Sequence, residues 1–184
     1  MSTEKLYYTT PGMDESTATR VVALLQSRLH AFNDLHLTLK HVHWNVVGPH
    51  FIAVHEMIDP QVEEVRGFAD DVAERIATLG GSPKGTPGSI VEERDWSEYS
   101  IRRAGTQEHL GALDLVYQGV ISSQRAAITE IGDLDPVTED MLIGQTDKLE
   151  LFHWFIRAHL ETSSGHLSTE GTHTEKGAAA SAGA

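Results

Sequence analysis

Apolar residues recur at helical intervals through most of this chain. Val21, Val22, Leu24, Leu25, Leu29, Phe32, Leu35, Leu39 and Val42 are separated largely by threes and fours, the period of an amphipathic helix. Asp14 or Ser16 supplies a capping oxygen at its start, and Gly48-Pro49 ends it. A second run, Val54, Ile58, Val62, Val65, Ala69, Val72, Ile76 and Leu79, predicts a helix from Phe51 to Leu79, stopped by Gly80-Gly81. Pro60 lies inside it. Proline lacks a backbone donor and disfavours helical geometry in the residue before it, so a kink or loosened turn is expected at Asp59.

After the turn-rich GGSPKGTPG segment, Ile90, Val91, Trp96 and Tyr99 predict a short connecting helix within Ser89 to Ser100. A third long helix follows from about Arg103 to Ile131, with Leu110, Leu113, Tyr117, Ile121 and Ile128 inward and Gly132 closing it. Asp135-Pro136 has the form of an N-cap with proline at the first helical position. It opens a fourth helix through Leu142, Leu149, Phe152, Ile156 and Leu160. No run of strand type competes, so the fold class is all-α: a four-helix bundle with a short extra helix between its second and third members. The expected division is a flexible N-terminal arm over 1–12, the bundle over 13–163, and a Gly-, Ser-, Thr- and Ala-rich C-terminal tail over 164–184 without fixed structure.

Composition narrows the chemistry. The chain of 184 residues has 27 Asp and Glu against 14 Lys and Arg, a formal charge of −13, which favours cations over nucleic-acid phosphates as visitors. It has no cysteine, which excludes disulfides, thiolate zinc sites and cysteine nucleophiles. The N-terminus lacks the apolar core of a signal peptide, and no later run approaches the ~20 apolar residues of a membrane span. A soluble cytoplasmic protein is expected.

The stretch from His43 to Glu74 concentrates metal-ligand types. His55 and Asp59 are four apart and project from one side of the helix, and Asp70 and Glu74 repeat the relation. At about 100° per residue Asp70 is rotated only ~20° from Asp59, but at ~1.5 Å per residue it lies ~16 Å along the axis. Metal–ligand bonds of ~2 Å cannot span that gap. Two copies packing this helix antiparallel about a two-fold axis near Glu64 to Arg66 would bring His55 and Asp59 of one to Asp70 and Glu74 of the other, twice. His43, across the Gly48-Pro49 turn, is placed to complete the nitrogen side. The plain alternative is a solvated charged face, since acidic pairs four apart are common on helices.

The segments HWNVVGPHFIAVHEMID and DDVAER resemble the signature of the Dps family, the DNA-binding proteins from starved cells, which are ferritin-like miniferritins. The resemblance implies a ferritin-like four-helix bundle assembled into a hollow dodecamer from two-fold dimers. It implies ferroxidase centres at the dimer interfaces, with His43, His55 and Asp59 from one subunit and Asp70 and Glu74 from its partner. Imidazole with carboxylate suits ferrous iron and leaves positions open, and the implied oxidant is hydrogen peroxide, with ferric mineral stored inside. Trp44, beside His43, is placed to donate an electron or trap a radical, though a tryptophan on a bundle helix is most often a core residue.

The acids Asp133, Asp135, Glu139 and Asp140 resemble the lining of the family's negatively charged three-fold pore. For Asp135 the simpler role is complementing the helix dipole. Glu150-x-x-His153 occurs once, where a bundle-core di-iron site needs two copies, and His55-Glu56 lacks the second histidine of HExxH. DNA binding in this family commonly uses basic tails. Here Lys5 faces Glu4, and Lys176 faces Glu170 and Glu175, so weak or no binding is expected. Two alternatives to the ferroxidase remain at this point: a DNA-protecting nucleoid protein with weak tail-mediated binding, and a hydrolase using the same paired metals to activate water.

Overall fold

The structure, a computed structural model, describes residues 6–184. Glu4 and Lys5, the opposed charges of the arm, lie outside the described residues. Helix α1 (Glu15–Asn45) starts where the sequence predicts, with the Asp14 carboxylate accepting from Thr17 N at 3.0 Å and Thr17 Oγ1 at 2.7 Å. A two-residue strand β1 (Val46–Val47) follows, and Gly48 at φ 92° and His50 at φ 65° reverse the chain into α2 (Phe51–Thr78). After a crossover carrying α3 (Pro87–Glu93), strand β2 (Ala104–Gly105) leads into α4 (Thr106–Ile131), and Asp135 caps α5 (Pro136–Leu160). Helices α1 and α2 pack as one pair, α4 and α5 as the other, and α1–α4 and α2–α5 contacts close the bundle. Phe32, Leu35, Leu39, Ile58, Val65, Leu113, Tyr117, Leu142 and Ile156 fill the core. No described helix is long and apolar enough to cross a membrane.

Three local departures have visible causes. The short helix sits at Pro87–Glu93 and ends before Trp96, because the following segment is held extended: Trp96 Nε1 donates to Asp34 Oδ2 at 2.7 Å and Tyr99 Oη meets His109 Nδ1 at 3.0 Å. The third long helix starts at Thr106, since Ala104 and Gly105 pair in parallel with Val46 and Val47. Helix α2 runs unbroken through Pro60. The exposed Pro60 ring faces away from the core, and the next residue braces the turn. Gln61 Nε2 donates to the Met57 carbonyl at 3.2 Å, while Gln61 Oε1 accepts from Tyr117 Oη at 2.6 Å.

Tyr7, Tyr8 and the C-terminal tail make fixed contacts that composition does not suggest. Tyr7 N donates to Gly80 O at 3.0 Å and Tyr8 Oη to Ala77 O at 2.9 Å. Gly80 permits this: a Cβ there would lie 1.7 Å from Tyr8 O. The C-terminal tail, expected to lack structure from 164 onward, instead carries helix α6 (Glu175–Ala182), capped by Thr174 and packed on α4. The small residues read as a sign of disorder are what allow the contact, for a Cβ at Gly111 would come within 2.6 Å of Ala178 O. Thr169 Oγ1 also donates to Asp114 Oδ2 at 2.7 Å, fixing the approach to α6.

Candidate metal centre

The turn at Gly48 to His50 brings the last helical turn of α1 against the second turn of α2. There the His43 and His55 rings stack, centroids 3.6 Å apart and 23° from parallel. His43 Nδ1 lies 3.0 Å from the His55 carbonyl, and His55 Nδ1 lies 2.9 Å from the His43 carbonyl. A carbonyl only accepts, so each Nδ1 carries a hydrogen. In the neutral rings both Nε2 atoms then keep their lone pairs, the tautomer a metal ligand needs.

Asp59, one turn beyond His55, adds a carboxylate. Its Oδ1 lies 3.2 Å from His43 Nδ1 and 2.7 Å from Lys40 Nζ. Its pKa is lowered chiefly by the Lys40 hydrogen bond; desolvation opposes this, and the charges of His43, Lys40 and His55 add smaller pulls downward. Lys40 was missed by sequence reasoning, although its signal was present: it precedes His43 by three residues and shares its helix face.

Asp70 and Glu74 are exposed farther along α2. Asp70 borders a shallow recess of about 350 Å³ with His36 and Arg66. Among the described residues, no group of three or more His, Asp or Glu in one copy is placed to hold a metal ion. One copy sets His43, His55 and Asp59 side by side without completing a metal-holding group, and leaves Asp70 and Glu74 apart. Trp44 is 70% exposed beside His43, which removes the core alternative for it within a single copy. Leu37 and Ile52 are exposed as well.

Residues 22–164 match the ferritin family, described as a ferritin-like domain. The DNA protection during starvation protein of Mycolicibacterium smegmatis is 62% identical over 172 residues, spanning 94% of this chain and 94% of that protein. The chain belongs to the ferritin-like Dps family. The solved Dps of Mycobacterium smegmatis matches it with a TM-score of 0.90 at 61% identity, covering 92% of this chain and 97% of that one. DpsA14 from Streptomyces coelicolor matches with a TM-score of 0.89 at 63% identity, covering 90% and 99%.

Within this Dps-family chain the four acids expected at a pore do not form one set. Asp133 and Asp140 are exposed and Glu139 is half-buried. Asp135 is only 4% exposed and departs from the expected lining. Its carboxylate accepts from Arg75 Nη2 at 2.6 Å, from Thr138 Oγ1 and from Val137 N. Burial raises its pKa, but the Thr138 and Arg75 bonds outweigh that and hold it below the usual carboxylate range. It is a helix cap locked to α2.

Glu150 and His153 also separate. Glu150 pairs with Arg125 at the surface, whereas buried His153 meets Asp114 Oδ1 at 2.7 Å. Asp114 additionally accepts from Arg157 Nε at 2.8 Å; His153 and Arg157 are one turn apart on α5, but no local spacing reveals their shared partner on α4.

Proposed function

We propose that this chain is a ferroxidase and iron-storage protein whose oxidation sites are each shared by two copies. His43, His55 and Asp59 of one copy, with Asp70 and Glu74 of the other, bind ferrous iron as substrate. Hydrogen peroxide is the preferred oxidant: two Fe(II) give two electrons to the O–O bond, and with two protons this yields two Fe(III) and two waters. Ferric product is stored as mineral in a hollow dodecamer in the cytoplasm. Removing ferrous iron and peroxide together limits oxidative damage, and Trp44 stands beside the site to supply or trap a single electron.

The observation that carries this reading is the reciprocal bonding of His43 and His55. It orients two imidazoles with both Nε2 atoms available before any metal arrives, which is the preorganisation a ligand pair needs. The axial separation of His55/Asp59 from Asp70/Glu74 supports a second copy, and exposed Leu37, Trp44 and Ile52 offer apolar area to it. Asp133, Glu139 and Asp140 remain the acids proposed to guide cations inward.

The test is Fe(II) oxidation followed by ferric absorbance, with peroxide and oxygen supplied separately. His43→Asn and His55→Asn keep an amide donor near the Nδ1 position and delete the Nε2 ligand. Loss of rapid oxidation in both, with sedimentation of the assembly unchanged, supports the site. Wild-type rates in both would overturn it.

The relatives' name, DNA protection during starvation protein, favours a second reading, direct DNA contact. The packed tail places only Lys176 in α6, so binding is expected to be weak. A mobility shift at low salt near neutral pH that vanished on removing residues 164–184 would establish it.

A further inference from the structure

A cleft of about 690 Å³ lies between α1, α4, the 95–100 segment and the first turn of α6, away from the histidine pair. Leu35, Val116 and Val120 give it apolar walls. Gly119, inside α4, also lines it, and a Cβ at that position would meet nothing within 4 Å. Glycine weakens a helix interior, so its effect here is to leave the space open.

Arg28 also lines the cleft and is 7% exposed. Its Nη1 donates to Ser123 Oγ at 2.6 Å and its Nη2 to Ser27 Oγ at 2.9 Å. Its buried Nε has no acceptor. No described carboxylate pairs with this guanidinium; Asp95 acts on it only through its charge. A buried cation ordinarily has an opposite charge in contact. The other acids nearby are committed or peripheral: Asp34 accepts from Trp96 and Arg94, Glu175 accepts from Ser100, and Glu98 is exposed at the rim.

We propose that this cleft binds a small organic carboxylate with an apolar body, the carboxylate pairing with Arg28 and the body lying over Gly119 against Leu35, Val116 and Val120. A planar guanidinium matches a carboxylate in charge and geometry, and the volume falls in the range of small-molecule sites. The acids at the rim disfavour an anion held at the mouth, so the charged end reaches inward. Inorganic anions would leave the apolar walls wet and gain little. The first turn of α6, through Glu175 and Lys176, forms one edge, so the occupant would touch the docked tail.

The assembled full-length protein is titrated by calorimetry with 2-naphthoate, with 2-naphthylmethanol as neutral counterpart and inorganic phosphate as a bare anion. Saturable 2-naphthoate binding below about 1 mM is expected, at least about tenfold tighter than either comparison compound. Arg28→Gln and Gly119→Leu should each weaken it by about tenfold or more. The Gly119 side chain enters empty space, so that variant tests the cleft even if Arg28→Gln fails to fold. No saturable binding, equal binding of the neutral compound, or undiminished binding to Gly119→Leu would overturn the proposal.

Discussion

Lys40 Nζ lies 2.7 Å from Asp59 Oδ1, so the carboxylate proposed to bind iron is held by a cation in the same chain. A metal bound through Oδ1 would compete with that ammonium. For a solvent-screened pair of this kind the attraction is weak. Lys40→Met is therefore expected to tighten binding of Zn(II), a redox-silent surrogate, by up to about fivefold. Calorimetry decides: weaker binding would mean that Lys40 positions Asp59 for the metal.

The Asp114 network gives a pH signature. Burial raises the Asp114 pKa, but hydrogen bonds from His153, Arg157 and Thr169 outweigh it and leave the group well below its ordinary value. A depressed carboxylate contributes stability above its unfolded pKa, near about 4, and loses it as pH falls toward the folded value. Wild-type melting temperature should consequently fall more steeply below about pH 4 than that of Asp114→Asn, which at neutral pH is destabilised by about 3 kcal/mol. Matching acid limbs in the two melting profiles would exclude Asp114 as the group responsible.

The tail rests on small residues. At Gly111 a Cβ would lie 2.6 Å from Ala178 O and 2.8 Å from Ala182 Cβ. Gly111→Val is expected to lift α6 and expose residues 162–184 to limited proteolysis while the bundle keeps its helicity. A protease pattern like that of wild type would show that α6 tolerates the added volume.

At Pro60 the brace is Tyr117 Oη on Gln61 Oε1, both residues being almost fully buried. Tyr117→Phe removes the donor and leaves the amide oxygen unsatisfied, at a cost of about 1–3 kcal/mol. Chemical denaturation measures this directly. In a Gln61→Leu background the same change should cost much less, and equal costs in both backgrounds would deny the coupling.

The helices were legible because each carries a buried stripe at helical period and punctuation at its ends: Asp14, Gly48-Pro49, Gly80-Gly81 and Asp135-Pro136. The closeness of His55 and Asp59 was legible because they are one turn apart on α2, so local geometry alone puts them together. Distant partners were harder to see. The Asp114 bond to Thr169 joins residues 55 positions apart, and no local spacing encodes it. Helix α6 was hidden for another reason: Gly177 and Ala178 read as flexible when isolated, yet small side chains also permit two helices to touch closely. Asp135 shows a third limit: its place at the start of α5 was legible, but its partner Arg75 lies 60 residues away.

His55 does more than present a nitrogen. The carbonyls of the final turn of an α-helix have no acceptor role left inside it, and His43 O belongs to that turn of α1. By donating to it, the His55 imidazole acts as a C-cap supplied from the next helix. The histidine pair is thus a splint across the α1–α2 corner, assembled by folding itself. A truncation such as His55→Ala would fray α1 as well as remove the ligand proposed for iron, whereas an asparagine retaining the donor separates the two effects.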